Sequence, residues 1–216
     1  RNVYHYERPA RRCGRRLVVW RTELKKIPAA VFLLAMLTAA TAAAAPLDVI
    51  RDKYDGIKTL VSKNLDRKSF DDAVRKELDT FVDYEELSKR TLGDNWNKLK
   101  PKDRQRFVAG FKQMIQRSYI KKFDPSAQFT LEIDPAVDKA ADGSVIVKSK
   151  VRAGKSEAAV NYSFHQVKGK WMAFDVIIDD VSMMKNYRRQ FNKIWETEGF
   201  DGLMAKIDKK NTEKAS

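Results

Sequence analysis

The stretch that most limits how this chain can fold is a long amphipathic segment beginning at Pro101. Proline costs nothing at the first helical position, where its missing N–H has no partner to lose. Asp103 in the first turn and Lys121 and Lys122 in the last suit the two ends of a helix dipole. At about 100° per residue, Phe107, Val108, Phe111, Met114, Ile115, Ser118 and Tyr119 share a sector of roughly 140°, wider than a surface helix needs. Arg106, Gln113, Gln116, Arg117 and Lys121 fall opposite. So broad and aromatic a face predicts that the helix covers something large, either a sheet or a sheet plus a ligand.

Past Asp124-Pro125 the apolar period changes from 3.6 to 2. Ala127–Ile133, Ser144–Arg152, Ala158–Val167 and Trp171–Ile178 read as four strands, the last two joined at Lys168-Gly169. In the last strand Met172, Phe174, Val176 and Ile178 are expected on one face. Short turns predict an antiparallel meander with one apolar and one wet face. Upstream, Leu47–Leu65 and a segment from Ser69 carry apolar residues at helical spacing, and Asp83 is placed to cap Tyr84–Leu92 before Gly93. Downstream, Ser182–Thr197 and Phe200–Ile207 read as two helices separated at Gly199. The fold class expected is α+β: a curved antiparallel sheet of about four strands, helices packed over one face, and an apolar pocket between them.

The formal net charge of +14 is unevenly spread. Residues 1–45 hold nine Lys or Arg against Glu7 and Glu23, so half the excess lies there. Lys25 and Lys26, the apolar run Ala29–Leu37 and the small residues of Thr38–Ala45 read as an export signal cleaved after Ala44 or a close neighbour. The alternative is an uncleaved anchor, although the apolar run is short for a span of about 20 residues. Residues 1–23 read as an upstream extension of the reading frame. The organisation expected is a leader over 1–44, a ligand-binding domain over 45–210 and a polar tail over 211–216. The single cysteine, Cys13, lies in the leader, so the mature chain is expected to hold no disulfide, thiol nucleophile or lipoprotein acylation site. Those features predict an exported, soluble periplasmic protein.

Catalytic patterns are missing. His165 is the one histidine outside the leader, and its position predicts the wet face of a strand. No phosphate loop, HExxH helix, GxSxG elbow or metal loop occurs. Asp71-Asp72 and Asp179-Asp180 are adjacent pairs whose carboxylates diverge, which suits caps and turns better than acid–base chemistry. The sequence therefore predicts no enzyme, no metal and no cofactor. Lys148, Lys150 and Arg152, or Arg188 and Arg189, could form a basic patch, but the export signal and the absence of a nucleic-acid motif argue against such a partner.

Two blocks carry a resemblance. Asp83–Phe111 (DYEELSKRTLGDNWNKLKPKDRQRFVAGF) and Trp171–Phe191 (WMAFDVIIDDVSMMKNYRRQF) resemble, in order and spacing, the motifs of the MlaC or toluene-tolerance family. These are the periplasmic phospholipid-binding components of the Mla transport system. The match covers about residues 46–210. Tyr84 replaces a common Phe, and Asp180 stands where glycine usually precedes Val181-Ser182. That second change puts the turn geometry in question, because glycine reaches angles that aspartate adopts less readily. The resemblance implies a soluble carrier of phospholipid, with acyl chains in a pocket between sheet and helices. It also implies exchange with an outer-membrane lipoprotein–porin complex and an inner-membrane ABC transporter bearing an MCE-domain ring.

The residues themselves allow such a site. An acyl tail needs only apolar area, worth about 0.8 kcal/mol per buried CH₂. Candidate lining residues are Phe107, Phe111, Ile115 and Tyr119 on the long helix, Val147, Val160, Tyr162, Phe164, Phe174 and Val176 on the sheet, and the adaptable Met172 and Met184. Each could equally be plain core, since cores and apolar pockets share a composition. Arg188 either meets a lipid phosphate at the mouth or forms an ion pair with Asp175. The remaining readings are a carrier of another apolar lipid, such as a hopanoid, and a periplasmic adaptor with a filled core.

Overall fold

The computed structural model describes residues 45–121 and 123–213. The expected leader therefore lies outside the described residues, as do the last three residues of the tail. In chain order the elements are α1 (Pro46–Ser62), α2 (Arg67–Phe81), α3 (Tyr84–Leu92), α4 (Asp94–Lys98), α5 (Pro101–Ile120), β1 (Phe129–Lys139), β2 (Val145–Ala153), β3 (Ser156–Val167), β4 (Lys170–Ile178), β5 (Val181–Ser182) and α6 (Met183–Thr212). This is the α+β arrangement expected, with a fifth, two-residue strand added at the β4 edge. The strands form one antiparallel meander in sequence order, β1-β2-β3-β4-β5.

Local chemistry sets the helix ends. Asp66 accepts from the N–H groups of Lys68 and Ser69, so α2 starts two residues earlier than its Ser69 suggests. The Asp83 carboxylate accepts from the N–H groups of Glu85 and Glu86, capping α3 as its spacing predicts, and Gly93 ends that helix at φ 56°. Gly199 (φ 66°) kinks α6 where two helices were expected, and the helix continues to Thr212.

Three apolar clusters hold these elements. Trp96, Leu99, Phe107, Phe111, Phe191 and Met204 belong to a core shared by α3, α4, α5 and α6. Ile50 and Phe81 pack on Val147, Phe164 and Ala173 of the sheet. Phe70, Val74 and Ile120 join α1, α2 and α5. The broad face of α5 is thus divided between α6 and α3 on one flank and α2 on the other. Most of its aromatic stripe covers α6, not the sheet. Gly110 makes the close approach possible: a Cβ there would stand 3.1 Å from Ile207 Cγ2 and 3.2 Å from Met204 Cε.

Two features of the sheet depart from strict alternation. In β3–β4 the partners step from Ser163↔Asp175 to Phe164↔Ala173, leaving Phe174 as an extra, bulged residue. Trp171 and Ala173 consequently pack with Val147 and Phe164, while Phe174 joins the α3–α6 core. The expected single face of Met172, Phe174, Val176 and Ile178 is therefore broken at the bulge. In β1 an irregularity between Ile133 and Val137 lets the strand run on to Lys139, past the expected end.

His165 is also more enclosed than a wet-face residue. Its Nε2 lies 2.9 Å from Asp83 Oδ2, and its ring meets Phe174 edge-on with centroids 5.5 Å apart. The pair ties β3 to the start of α3.

Candidate functional site

Ile50, Tyr54, Ile57 and Val61 recur at i, i+4, i+7 and i+11 along α1, which puts them on one face. Ile50 packs in the sheet core, Tyr54 meets Phe129, and Ile57 and Val61 pack on the Phe70–Val74–Ile120 cluster. The same face borders a cavity of about 470 Å³, closed by Phe70, Leu78 and Phe81 of α2, by Ile115 and Tyr119 of α5, and by the sheet. Phe129 and Leu131 come from β1, Val151 and Ala153 from β2, Val160 and Tyr162 from β3, and Val176 and Ile178 from β4. Register explains the floor: Val160 pairs with Ile178 and Tyr162 with Val176, so four side chains of one face lie side by side.

The polar groups at the cavity are few and mostly engaged with protein. Tyr54 donates its hydroxyl to the Phe129 carbonyl at 3.2 Å. Burial pushes the Tyr162 phenol up to about 12 and the Tyr84 phenol to about 12, so both stay neutral under physiological conditions. Lys53 and Glu77 meet at the α1–α2 seam, Nζ to Oε2 2.8 Å, and Lys53 also donates to Thr80 Oγ1 at 2.6 Å.

Exposed lining residues locate the mouth. Asp124 follows α5, Ala153 ends β2 and Ile178 ends β4; all three are exposed. Ile178 faces Val181 across the β4–β5 hairpin, and these are the two exposed large hydrophobic residues among the described residues, at 38% and 56%. Asp179 and Asp180 form that hairpin's turn at φ 45° and 65°. Asp180 therefore adopts the left-handed geometry that glycine would adopt more readily. Asp179 fixes the turn through its backbone N–H to the Ala159 carbonyl, 2.9 Å, and its carboxylate on the Ala159 N–H, 3.0 Å.

The structure divides the expected lining residues. Ile115, Tyr119, Val160, Tyr162 and Val176 border the cavity. Phe107, Phe111, Phe174 and Met184 sit in the helical core, and Val147 and Phe164 in the sheet core, where Phe164 stands behind Phe81 at a centroid distance of 5.7 Å. Met172 is half-buried opposite His165. Sequence reasoning missed the contribution of α1 and the far strand ends. The signal available was the apolar face of α1 itself.

Arg188 is not paired with Asp175 and does not line the cavity. Its Nε donates to the Arg90 carbonyl at 2.9 Å and its Nη2 donates to the same oxygen. It thereby satisfies a last-turn carbonyl of α3, a position that favours a cation. Arg90 itself lies 4.0 Å from the centroid of the Phe174 ring and pairs with Glu86 and Asp142, each at 2.7 Å. Asp175 accepts instead from Ser182 Oγ at 2.5 Å and from the Met184 N–H at 2.9 Å, helping to start α6. Burial raises its pKa against those hydrogen bonds.

Among the described residues no group of three or more His, Cys, Asp or Glu is placed to hold a metal ion, and no helix is long and apolar enough to cross a membrane. The site is an apolar recess with an open end, suited to an apolar ligand.

Known proteins with similar sequences and folds agree with one another. The toluene tolerance protein ttg2D of Pseudomonas putida is 26% identical over 179 residues, 79% of this chain and 82% of that protein. The intermembrane phospholipid transport system binding protein MlaC of Haemophilus influenzae is 20% identical over 138 residues, 62% of this chain and 64% of that one. Among solved structures, a phospholipid-binding protein of Ralstonia solanacearum in complex with a phospholipid superposes with a TM-score of 0.70 at 20% identity. That match covers 78% of this chain and 97% of the other. The family model described as MlaC protein matches residues 54–209, and the chain belongs to the MlaC family.

Proposed function

We propose that this protein is a periplasmic phospholipid carrier, holding acyl chain in the cavity beneath α1 and leaving the head group at the mouth near Asp124 and Ile178. The observation that carries the reading is the cavity's size and lining. The recess of about 470 Å³ is walled almost wholly by apolar side chains, so an apolar occupant gains about 0.8 kcal/mol for each CH₂ it withdraws from water. Water is a poor filler there, because it needs two to four polar partners and the lining offers few. An acyl chain needs none.

Release is as easy as capture in such a site. A methylene leaving an apolar cavity for a bilayer exchanges one apolar surrounding for another, so transfer is nearly neutral while exposure to water is opposed by about 0.8 kcal/mol per CH₂. Family membership and the relatives named for phospholipid transport support this cargo and the same two exchange complexes. One is an outer-membrane lipoprotein–porin complex, and the other is an inner-membrane ABC transporter with an MCE-domain ring. They also support a binding role over an enzymatic one; export by the leader over 1–44 and a ligand-binding domain over 45–210 rest on the sequence pattern alone.

Val176→Trp tests the site by filling it. Val176 is half-buried on the cavity floor, so the larger ring enters open space. Uptake of phospholipid from vesicles is expected to fall by about tenfold or more, a loss of about 1.4 kcal/mol, with thermal stability kept or raised. Undiminished uptake by a folded variant would place the lipid elsewhere.

A further inference from the structure

One flank of the molecule carries charge that stability does not account for. On α6, Lys185, Arg189 and Lys193 are spaced four residues apart, so they form a row of about 12 Å along one face at 1.5 Å per residue. All three are exposed and, among the described residues, none is ion-paired. Lys98 joins them from α4. Its Nζ donates to Asn95 Oδ1 at 2.8 Å, and the Asn95 amide donates to the side chain of Asn192, next to Lys193, at 3.4 Å. Two rules of helix electrostatics oppose this row. Like charges at i, i+4 repel, and Lys185 lies in the first turn of α6, where the helix dipole disfavours a cation and no acidic residue offsets it. Elsewhere the same spacing pairs opposite charges, as in Arg67–Asp71 and Arg90–Glu86. Glu196 ends the row one turn past Lys193.

At its other end the row meets apolar surface. Ser182, the N-cap of α6, is the last residue of β5, and Val181 beside it faces Ile178 across the hairpin. These two are the exposed large hydrophobic residues among the described residues, and Ile178 also borders the open end of the recess. The turn between them is polar, with the Asp179 carboxylate held on the Ala159 N–H and Asp180 exposed. A carboxylate entering hydrocarbon is costly, so this turn limits the tip to the depth of lipid head groups.

Resting on the carrier reading above, we infer that the β4–β5 tip and the cationic row of α6 together form a surface that docks on an anionic bilayer and brings the open end of the recess to it. Lys and Arg are attracted to an anionic leaflet within a Debye length of its surface. Charge alone would also suit an acidic protein, but an aliphatic pair exposed at the mouth of an apolar recess suits hydrocarbon. A shallow tip and screened charges give a reversible contact, as a carrier requires.

The test is co-sedimentation of the protein, exported to the periplasm and purified without detergent, with vesicles of equal parts phosphatidylglycerol and phosphatidylcholine or of phosphatidylcholine alone. Binding is expected to the anionic vesicles only, and to fade between about 0.05 and 0.5 M salt as the Debye length shrinks. Arg189→Glu with Lys193→Glu should weaken it about tenfold or more, and Val181→Ser severalfold, with the circular dichroism of the parent kept. Lys168→Glu with Lys170→Glu makes the same change in net charge on the β3–β4 hairpin, at the opposite end of those strands, and should keep binding within about twofold. Equal weakening by the two charge-reversed pairs overturns the inference, because net charge then explains binding, and so does unchanged binding by Val181→Ser. No binding to the anionic vesicles also overturns it and leaves the row to an acidic protein. A protein that docks as expected yet takes up no phospholipid from the vesicles fails the carrier reading alone.

Discussion

Arg188→Ala separates a structural from a ligand-binding role. In the structure its guanidinium donates two hydrogen bonds to the Arg90 carbonyl, joining α6 to the last turn of α3. A hydrogen bond from a charged donor contributes about 1.5–3 kcal/mol, and a cation at a helix C-terminus adds about 0.3–1 kcal/mol. The two donors share one acceptor and Arg188 is only half-buried, so their contributions do not add fully. A loss of about 2–3 kcal/mol is the expected total, in line with leaving a part-buried carbonyl without its partner. At about 2–4 °C per kcal/mol for a domain of this size, Tm should fall by roughly 5–10 °C. Arg188→Lys keeps the charge but loses the fork and should recover about half of that. The assay is thermal unfolding by circular dichroism, paired with lipid uptake well below the lowered Tm, where uptake should be unchanged. A Tm within about 1 °C of the parent together with lost uptake would refute the reasoning and return Arg188 to the lipid.

Two further substitutions test the turn and the acid limb. Asp180 lies at φ 65°, where a β-branched side chain is strained, so Asp180→Val should cost about 1–2 kcal/mol while Asp180→Gly is neutral or slightly stabilising by chemical denaturation. The opposite order would mean that the aspartate side chain, and not the backbone, holds this turn. The Ser144 hydroxyl and the Arg90 guanidinium hold Asp142 well below its ordinary 3.8. A folded-state pKa below the unfolded one contributes stability that is complete above 3.8 and lost as pH falls through the folded value. Asp142→Asn should therefore flatten the acid side of the stability–pH curve, and an unchanged acid limb in urea titrations would contradict that.

What the sequence made legible was mostly what local rules decide. Asp83 and Gly93 bound α3, Gly199 breaks the last helix, and Lys168-Gly169 turns β3 into β4, because each depends on a cap or a left-handed angle of a few adjacent residues. The face assignment of β4 was not legible. One bulged residue, Phe174, moves its neighbours to opposite faces, and a strand with apolar residues on both sides carries no mark of the slip. For the same reason the candidate site was only half readable. Ile115, Tyr119, Val160, Tyr162 and Val176 border the cavity, whereas Phe107, Phe111 and Phe164 are spent on core contacts of identical composition. Arg188 meets a backbone carbonyl, a partner without a side-chain identity that a sequence could display.

The central claim is that the cavity beneath α1 holds lipid. The most direct measurement is mass spectrometry of the protein exported to the periplasm and purified without detergent, first under native conditions and then after denaturation. The account predicts a native mass exceeding the chain's own by one lipid, and a phospholipid released on unfolding. A native mass equal to that of the chain alone, unchanged after incubation with phospholipid vesicles, would contradict it.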